Sequence, residues 1–172
     1  YRTRDSGKAL AGKIDNDSWS AHAGLGYGAH AFKLSYTRID GDTPFDYVWN
    51  TYDLELDAAS QISDFNNPNE RAWEARYDYN FVALGIPGLT LGVKYAKGED
   101  VDPTLLTTRQ AAGLRAEGAD GKEWERMTDL TYVLQSGPVK GLSVQWRNST
   151  NRSTYADSAN ENRFIVRYTF NF

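Results

Sequence analysis

The chain has no cysteine among its 172 residues. That removes disulfides, thiol nucleophiles and cysteine-based zinc sites. Its two histidines, His22 and His30, fall on opposite parities of extended chain, so together they make neither a metal site nor part of a triad. No apolar run approaches the ~18 residues of a membrane-crossing helix, and no signal-type segment opens the chain. A basic excess is missing too. The net charge is −4 and the pI about 5.2, which argues against general nucleic-acid binding. Helical periodicity is nearly absent, with a weak stripe only over Thr107 to Gly118. Gly24-Leu-Gly26-Tyr-Gly28 is glycine-rich but no helix follows it, so it reads as a turn and not a phosphate loop. There is no nucleophile elbow. The loop acids Asp40, Asp42, Asp46 and Asp53 lack Ca²⁺-loop spacing and read as solvated turns. No cofactor and no metal are expected.

What the chain does have is alternation. Its last stretch, ENRFIVRYTFNF, puts Phe164, Val166, Tyr168, Phe170 and Phe172 on one parity, with Arg163, Ile165, Arg167, Thr169 and Asn171 on the other. A strand sends successive side chains to opposite faces, so one face here is ring-rich and the other carries two arginines. The pattern recurs. Trp19, Ala21, Ala23 and Leu25 alternate with Ser20, His22 and Gly24. The same holds around Phe32 to Tyr36, Trp73 to Phe81, Leu89 to Tyr95, Leu130 to Leu134 and Leu142 to Trp146. Connections alternate between short and long. Gly26 to Ala29, LGIPG at Leu84 to Gly88 and SGPVKG at Ser136 to Gly141 have hairpin turn chemistry. Long loops lie near 5–17, 41–70, 98–121 and 152–160.

Short turns at one end and long loops at the other are the layout of an outer-membrane barrel. Mean hydropathy of −0.63 is compatible with that, because barrel strands are only half apolar. Tyr1, Trp19, Tyr27, Tyr36, Trp73, Tyr79, Phe81, Tyr95, Tyr132, Trp146, Tyr168 and Phe172 sit mostly near strand ends on the apolar parity, as interfacial girdles do. The expected fold is an all-β, transmembrane, antiparallel up-and-down barrel. Residues 1–172 form a single portion of it, in a bacterial outer membrane, with long loops outward and lipid and lipopolysaccharide around it. An open sheet would leave unpaired edges that a bilayer does not tolerate, so further strands are expected upstream.

On the lumen parity fall Arg2, Arg4, Lys33, Arg76, Lys94, Arg147, Arg163 and Arg167. Glu74, Asp78, Glu125 and Asp129 share that face, whereas the final two strands read as carrying Arg147, Arg163 and Arg167 with no acid. One reading is a neutralised ion-pair plug. The favoured reading is a basic ladder along a water-filled pore, where fixed positive charge concentrates anions. The Gly41 to Glu70 loop is too long for a hairpin and too aromatic for disorder, with Pro44, Phe45, Tyr47, Trp49 and Tyr52. It is expected to enter the pore mouth, with Asp42, Pro44, Phe45, Asp46 and Tyr47 as constriction residues. Two other classes are weighed. A small outer-membrane barrel hydrolase would need His22 with Ser20. A soluble ligand-binding barrel would meet its apolar face with another layer.

Several stretches also carry a resemblance: HAFKLSYTRIDGDTPFDYVW (His30 to Trp49), SDFNNPNERAWEARYDYNF (Ser63 to Phe81), GIPGLTLGVKYAKG (Gly85 to Gly98), YVLQSGPVKGLSVQWR (Tyr132 to Arg147) and the terminal strand. They span nearly the whole chain, and GDTPFDY and SDFN-PNE are quite specific. The chain resembles the carboxy-terminal part of the OprD family, substrate-specific outer-membrane channels. The resemblance implies an 18-stranded barrel, of which this chain is about the last eight strands, monomeric or weakly oligomeric. It implies diffusive uptake of small carboxylates (aromatic acids or amino acids), a basic ladder in the pore, an inward-folded Gly41 to Glu70 loop, and no enzymatic activity. Arg76, Lys94, Arg147, Arg163 and Arg167 fall where that family places basic or lumen residues.

Overall fold

A computed structural model describes residues 1–4, 8, 12–45, 56–105 and 120–169. Asp46, Tyr47, Trp49, Tyr52, Phe170, Phe172 and the weak stripe over Thr107 to Gly118 lie outside the described residues. Eight strands run in order through one sheet: β1 (Arg2–Arg4), β2 (Asp15–Tyr27), β3 (His30–Gly41), β4 (Arg71–Asn80), β5 (Leu89–Val101), β6 (Gly121–Val133), β7 (Ser143–Ser153) and β8 (Ala159–Arg167). Every neighbouring pair is antiparallel. The meander follows from local sequence, because each short turn closes a hairpin between two alternating runs. At Gly28 the chain takes φ +58° between Tyr27 and His30, a conformation that glycine adopts without steric cost. After β4, the Asn80 side chain caps a single 3₁₀ turn at Phe81–Leu84, and Gly85 ends it in left-handed geometry.

Register keeps the parities apart across all strands. Tyr36 stands opposite Trp73, Leu91 opposite Leu130, and Leu130 opposite Trp146, which faces Phe164. This outward face is bare: Phe164 is 73% exposed and Leu25 68%. Rings meet along it, with Trp19 5.3 Å from Tyr36 and Trp73 5.4 Å from Tyr95. An apolar, ring-studded outer face on a ladder hydrogen-bonded between each neighbouring pair of strands suits a hydrocarbon solvent, where unpaired backbone groups would cost several kcal/mol each (order of magnitude). The buried side chains lie on the other face. Those described belong to the strands' inward parity, to the parts of the 41–70 loop folded against it, and to Tyr155 of the 152–160 loop, among others.

Two strand ends run further than the alternation predicted. β5 continues past Gly98 to Val101 through a register shift, with Asp100 left-handed at φ +64°. This aims Asp100 at Arg71, with which it pairs. β8 begins earlier, at Ala159, and Glu161 lies in it on the same face as Arg163.

Candidate pore lane and constriction

The inward face is polar because its residues are. Lys33 stands opposite Arg76, which stands opposite Lys94, so three cations lie in a row across β3, β4 and β5. On β7 and β8, Arg147 stands opposite Arg163. Nearly all of these cations are paired. Arg76 donates to Asp78 at 2.7 and 2.9 Å. Arg147 donates two near-parallel bonds to Asp129 at 2.6 and 2.9 Å. Lys94 lies 2.8 Å and Lys33 3.5 Å from Glu74. Arg163 pairs with Glu161, which corrects the expectation that the last two strands bear no acid. Arg167 meets only the neutral Gln145, at 2.9 Å, among the described residues.

Two further placements correct the sequence reading. Arg2 stands opposite Asp17 and Arg4 opposite Asp15. Asp17 and Asp15 share Trp19's outward parity, so both arginines lie outside and pair with those acids. Tyr1 instead faces inward, its ring 5.8 Å from Phe45. The parity slipped because a three-residue stub has too little alternation to fix its own phase.

The described limb of the 41–70 loop, from Leu56 to Glu70, lies on the inner face. Phe65 is fully buried against Ala58, Ala72 and Ala96, and Ala72 and Ala96 are inward positions of β4 and β5. It holds φ +49°, a costly conformation for an aromatic residue that persists only where surrounding contacts over-determine it. The main anchor is electrostatic. The Glu125 carboxylate on β6 accepts from the backbone N–H groups of Gln61 (3.0 Å), Ile62 (3.0 and 3.2 Å) and Ser63 (2.9 Å). Consecutive N–H groups cradling one anion form an anion nest. The loop's two limbs also tie to each other, through Phe45 N–H to Asn66 O at 2.8 Å and Asn66 Nδ2 to Phe45 O at 3.0 Å.

Of the loop residues named from sequence, Asp42, Pro44 and Phe45 are described, and they lie at its root. Phe45 is buried against Ile39 and Leu56. Pro44's carbonyl accepts from Asn16, and Asp42 is exposed, reaching Lys13 at 4.0 Å. The side chains that enter the basic lane are Asp57 and Gln61. Asp57 accepts from Lys33 at 2.9 Å and lies 3.1 Å from His22 Nδ1. Gln61 Oε1 accepts from Arg147 at 2.7 Å, and Lys94 donates to Ala59 O at 2.5 Å. Burial pushes the Asp57 carboxyl up, but the bonds from Lys33 and His22 outweigh it and leave its pKa below the usual value. Only the polar parity of β3 to β7, with the loop's length, could have pointed to these contacts.

Beneath the loop lies a polar recess of about 450 Å³ lined by Lys33, Asp57, Glu74, Arg76, Lys94 and Arg147 among others. A second recess, of about 290 Å³, adds Asp78, Asp129, Gln145 and Arg167 and shares Arg76, Met127 and Arg147 with the first. Together they make a lane of alternating cations and acids down the inner wall. Chemically it can hold an anion at successive guanidinium forks. The hydrolase reading finds no dyad. Ser20 shares a bond with Thr37's hydroxyl at 2.8 Å, while His22 turns to Asp57.

A half-apolar sheet with lipid-suited outer rings, a charged inner wall and a loop folded onto that wall defines an outer-membrane porin wall. The chain belongs to the OprD family: the family model described as outer membrane porin, OprD family, matches residues 1–172. It is 41% identical to Porin D of Pseudomonas aeruginosa over 98% of this chain and 41% of that protein. To Porin-like protein GalP of Pseudomonas putida it is 34% identical, over 96% of this chain and 37% of that one. Among solved structures, it resembles Pseudomonas aeruginosa OccK3 (OpdO) at 46% identity and TM-score 0.77, covering 91% of this chain and 39% of that one. OccK10 (OpdN) of the same species gives 35% identity and TM-score 0.83, over 99% and 46% respectively. The chain therefore spans about two fifths of the curated relatives it matches. It is part of a β-barrel of the Gram-negative outer membrane, in a family of porins and not of enzymes.

Proposed function

We propose that this chain forms one wall of a channel for diffusive uptake of small carboxylate-bearing solutes, aromatic acids or amino acids, guided by its basic lane. Eight strands over about two fifths of the relatives' length fit a complete barrel of 18, with the long loops facing outside. The observation that supports this reading is the inner row Lys33, Arg76, Lys94, Arg147, continued by Arg163 and Arg167, under a loop folded onto the same face. Each cation already has an acid or amide partner, so a passing carboxylate exchanges with a resident one. Exchange keeps every contact moderate, which a conducting site requires, since an ion held too tightly does not leave. Arg forks favour planar carboxylates over point anions.

Uptake by liposomes carrying the complete protein tests this, comparing benzoate-like and amino-acid-like carboxylates with their neutral amides. The carboxylates should enter faster than the amides of equal size, and excess carboxylate should slow them. Equal rates for acid and amide would remove the carboxylate assignment and leave an unselective pore.

A further inference from the structure

The outward face carries a second set of cations, and two of them differ from the rest. Arg38 pairs with Asp40, Arg71 with Asp100, Lys97 with Glu99, Lys122 with Asp120, and Arg2 and Arg4 with Asp17 and Asp15. Arg126 on β6 and Arg152 on β7 have no carboxylate partner among the described residues. Both share the outward parity of Trp124. Arg126 stands opposite Thr150, and Arg152 opposite Trp124. They are diagonal neighbours on paired strands, with backbones about 7–8 Å apart, which suits two side chains closing on one anion.

Their surroundings hold them in place without neutralising them. Arg152 Nη1 donates to Asn160 Oδ1 at 3.0 Å and to the carbonyls of Asn151 and Ala159 at 2.7 and 3.3 Å, and among the described residues no bond engages its Nε or Nη2. Asn148 donates to Asn162 at 3.1 Å and turns its oxygen toward Arg126, 3.5 Å away. Trp124, stacked 5.8 Å from Tyr95, stands beside the pair. The rest of the patch, Thr128, Asn148, Thr150, Asn160 and Asn162, is polar although it faces outward. On β8 the ring-rich face begins only at Phe164, and on β7 at Trp146. The patch thus lies on the long-loop side of the apolar belt, at headgroup depth. It also sits on β6 and β7, which are paired on both edges, so missing strands do not cover it.

We propose that Arg126 and Arg152 form a binding site for a phosphorylated glycolipid headgroup, the phosphate of lipopolysaccharide in the leaflet that the long loops face. Charge complementarity selects the occupant. Two guanidinium groups with free N–H edges match a phosphomonoester, the amide and hydroxyl side chains around them match a sugar, and the position at the belt margin matches a headgroup whose acyl chains continue along Leu130, Trp146 and Phe164. The site rests on the outer-membrane placement with the long loops outward and is independent of what the pore carries.

The test compares the complete protein purified from outer membranes with its Arg126→Gln/Arg152→Gln variant and with Arg38→Gln as a control whose cation is already paired. Bound lipopolysaccharide is counted by native mass spectrometry. Detergent-micelle titrations then use bis-phosphorylated lipid A, dephosphorylated lipid A and inorganic phosphate. The double variant should lose about tenfold in affinity for phosphorylated lipid A, the size expected for losing charge-assisted phosphate contacts. Arg38→Gln, and the dephosphorylated lipid, should show no such difference between proteins. Carboxylate uptake should stay at the parental rate, so failure here and failure of the channel reading are separable. Equal lipid A affinity in parent and double variant overturns the site. So does an equal loss in the Arg38 control. Tight binding of inorganic phosphate without the lipid would reassign it to a free anion.

Discussion

The Glu125 anchor gives the sharpest mutational prediction. Its carboxylate is fully buried and takes four contacts from three successive N–H groups of the loop. Hydrogen bonds to a charged group contribute about 1.5–3 kcal/mol each, and a buried donor left unpaired costs about 1–3 kcal/mol. Glu125→Ala strands all three donors. Because the loop backbone is only partly buried there, water recovers some of that loss, and the low end of the range applies. The loop's docked state should weaken by about 3–5 kcal/mol, which is on the order of 10²–10⁴-fold in its equilibrium. Glu125→Gln keeps one acceptor oxygen and points an NH₂ at a donor, so it should fall between. The assay is single-channel recording of the complete protein in planar bilayers, with resistance to denaturant as a check of the barrel. The Ala variant should conduct more and flicker, since the loop leaves the passage part of the time. A folded Ala variant with parental conductance and parental noise would refute the reasoning, because the loop would then not be held by this carboxylate or would not narrow the pore.

Three further outcomes follow from particular contacts. Asp57→Asn removes the carboxylate resident on Lys33 and His22, so residence of a blocking carboxylate in single-channel traces should lengthen about three- to tenfold, the range of a partly screened ion pair; an unchanged residence time would show that Asp57 does not compete in the lane. Burial, reinforced by the nearby Glu123 carboxylate, holds the Glu70 carboxyl well above its usual pKa. A raised folded pKa stabilises below the unfolded carboxylate range, and that stability is lost as pH rises from there through the folded value. Proteolysis of the loop should therefore become easier with rising pH in the parent, and Glu70→Gln should flatten the trend, whereas a variant that follows the parental pH profile would contradict it. Cysteine at Trp146 should react with lipid-soluble reagents and cysteine at Gln145 with water-soluble ones in the intact membrane; reversed labelling would invert the two faces.

Much of the barrel wall was legible because a strand's period is two and one face must be apolar. From Trp19 to Val166 the phase of each long strand was readable from its rings alone. It failed at β1, where three residues carry no such phase and Arg2 and Arg4 went to the wrong side. It also left out an acid at Glu161, which opens the terminal stretch on the parity of Arg163 but was not counted on that face. The cations of the lane were readable by parity, but their partners were not. Pairings such as Arg147 with Gln61, or Lys33 with Asp57, join residues far apart in sequence and depend on how a long loop lands. Phe45 drew attention to the loop's root, where it is buried, whereas the limb from Leu56 to Glu70 works through backbone N–H groups, Asp57 and Gln61. Backbone donors leave no mark in composition. The cluster of Glu70, Glu123, Asn67 and Tyr155, joined by side-chain bonds such as Tyr155 hydroxyl to Glu123 at 2.6 Å, was invisible because its members come from separate stretches of the chain. It needs the 152–160 loop to fold back over β6.

The central claim is that the inner row of cations carries carboxylates. The most direct measurement is the ratio of carboxylate to neutral-amide uptake in liposomes, for the complete protein and for its Arg76→Gln/Arg147→Gln variant. Both residues line both recesses, and Gln keeps their bulk while removing charge and fork. The ratio should fall about tenfold or more toward unity, with amide uptake unchanged. A ratio that stays at the parental value in a folded, conducting variant would contradict it.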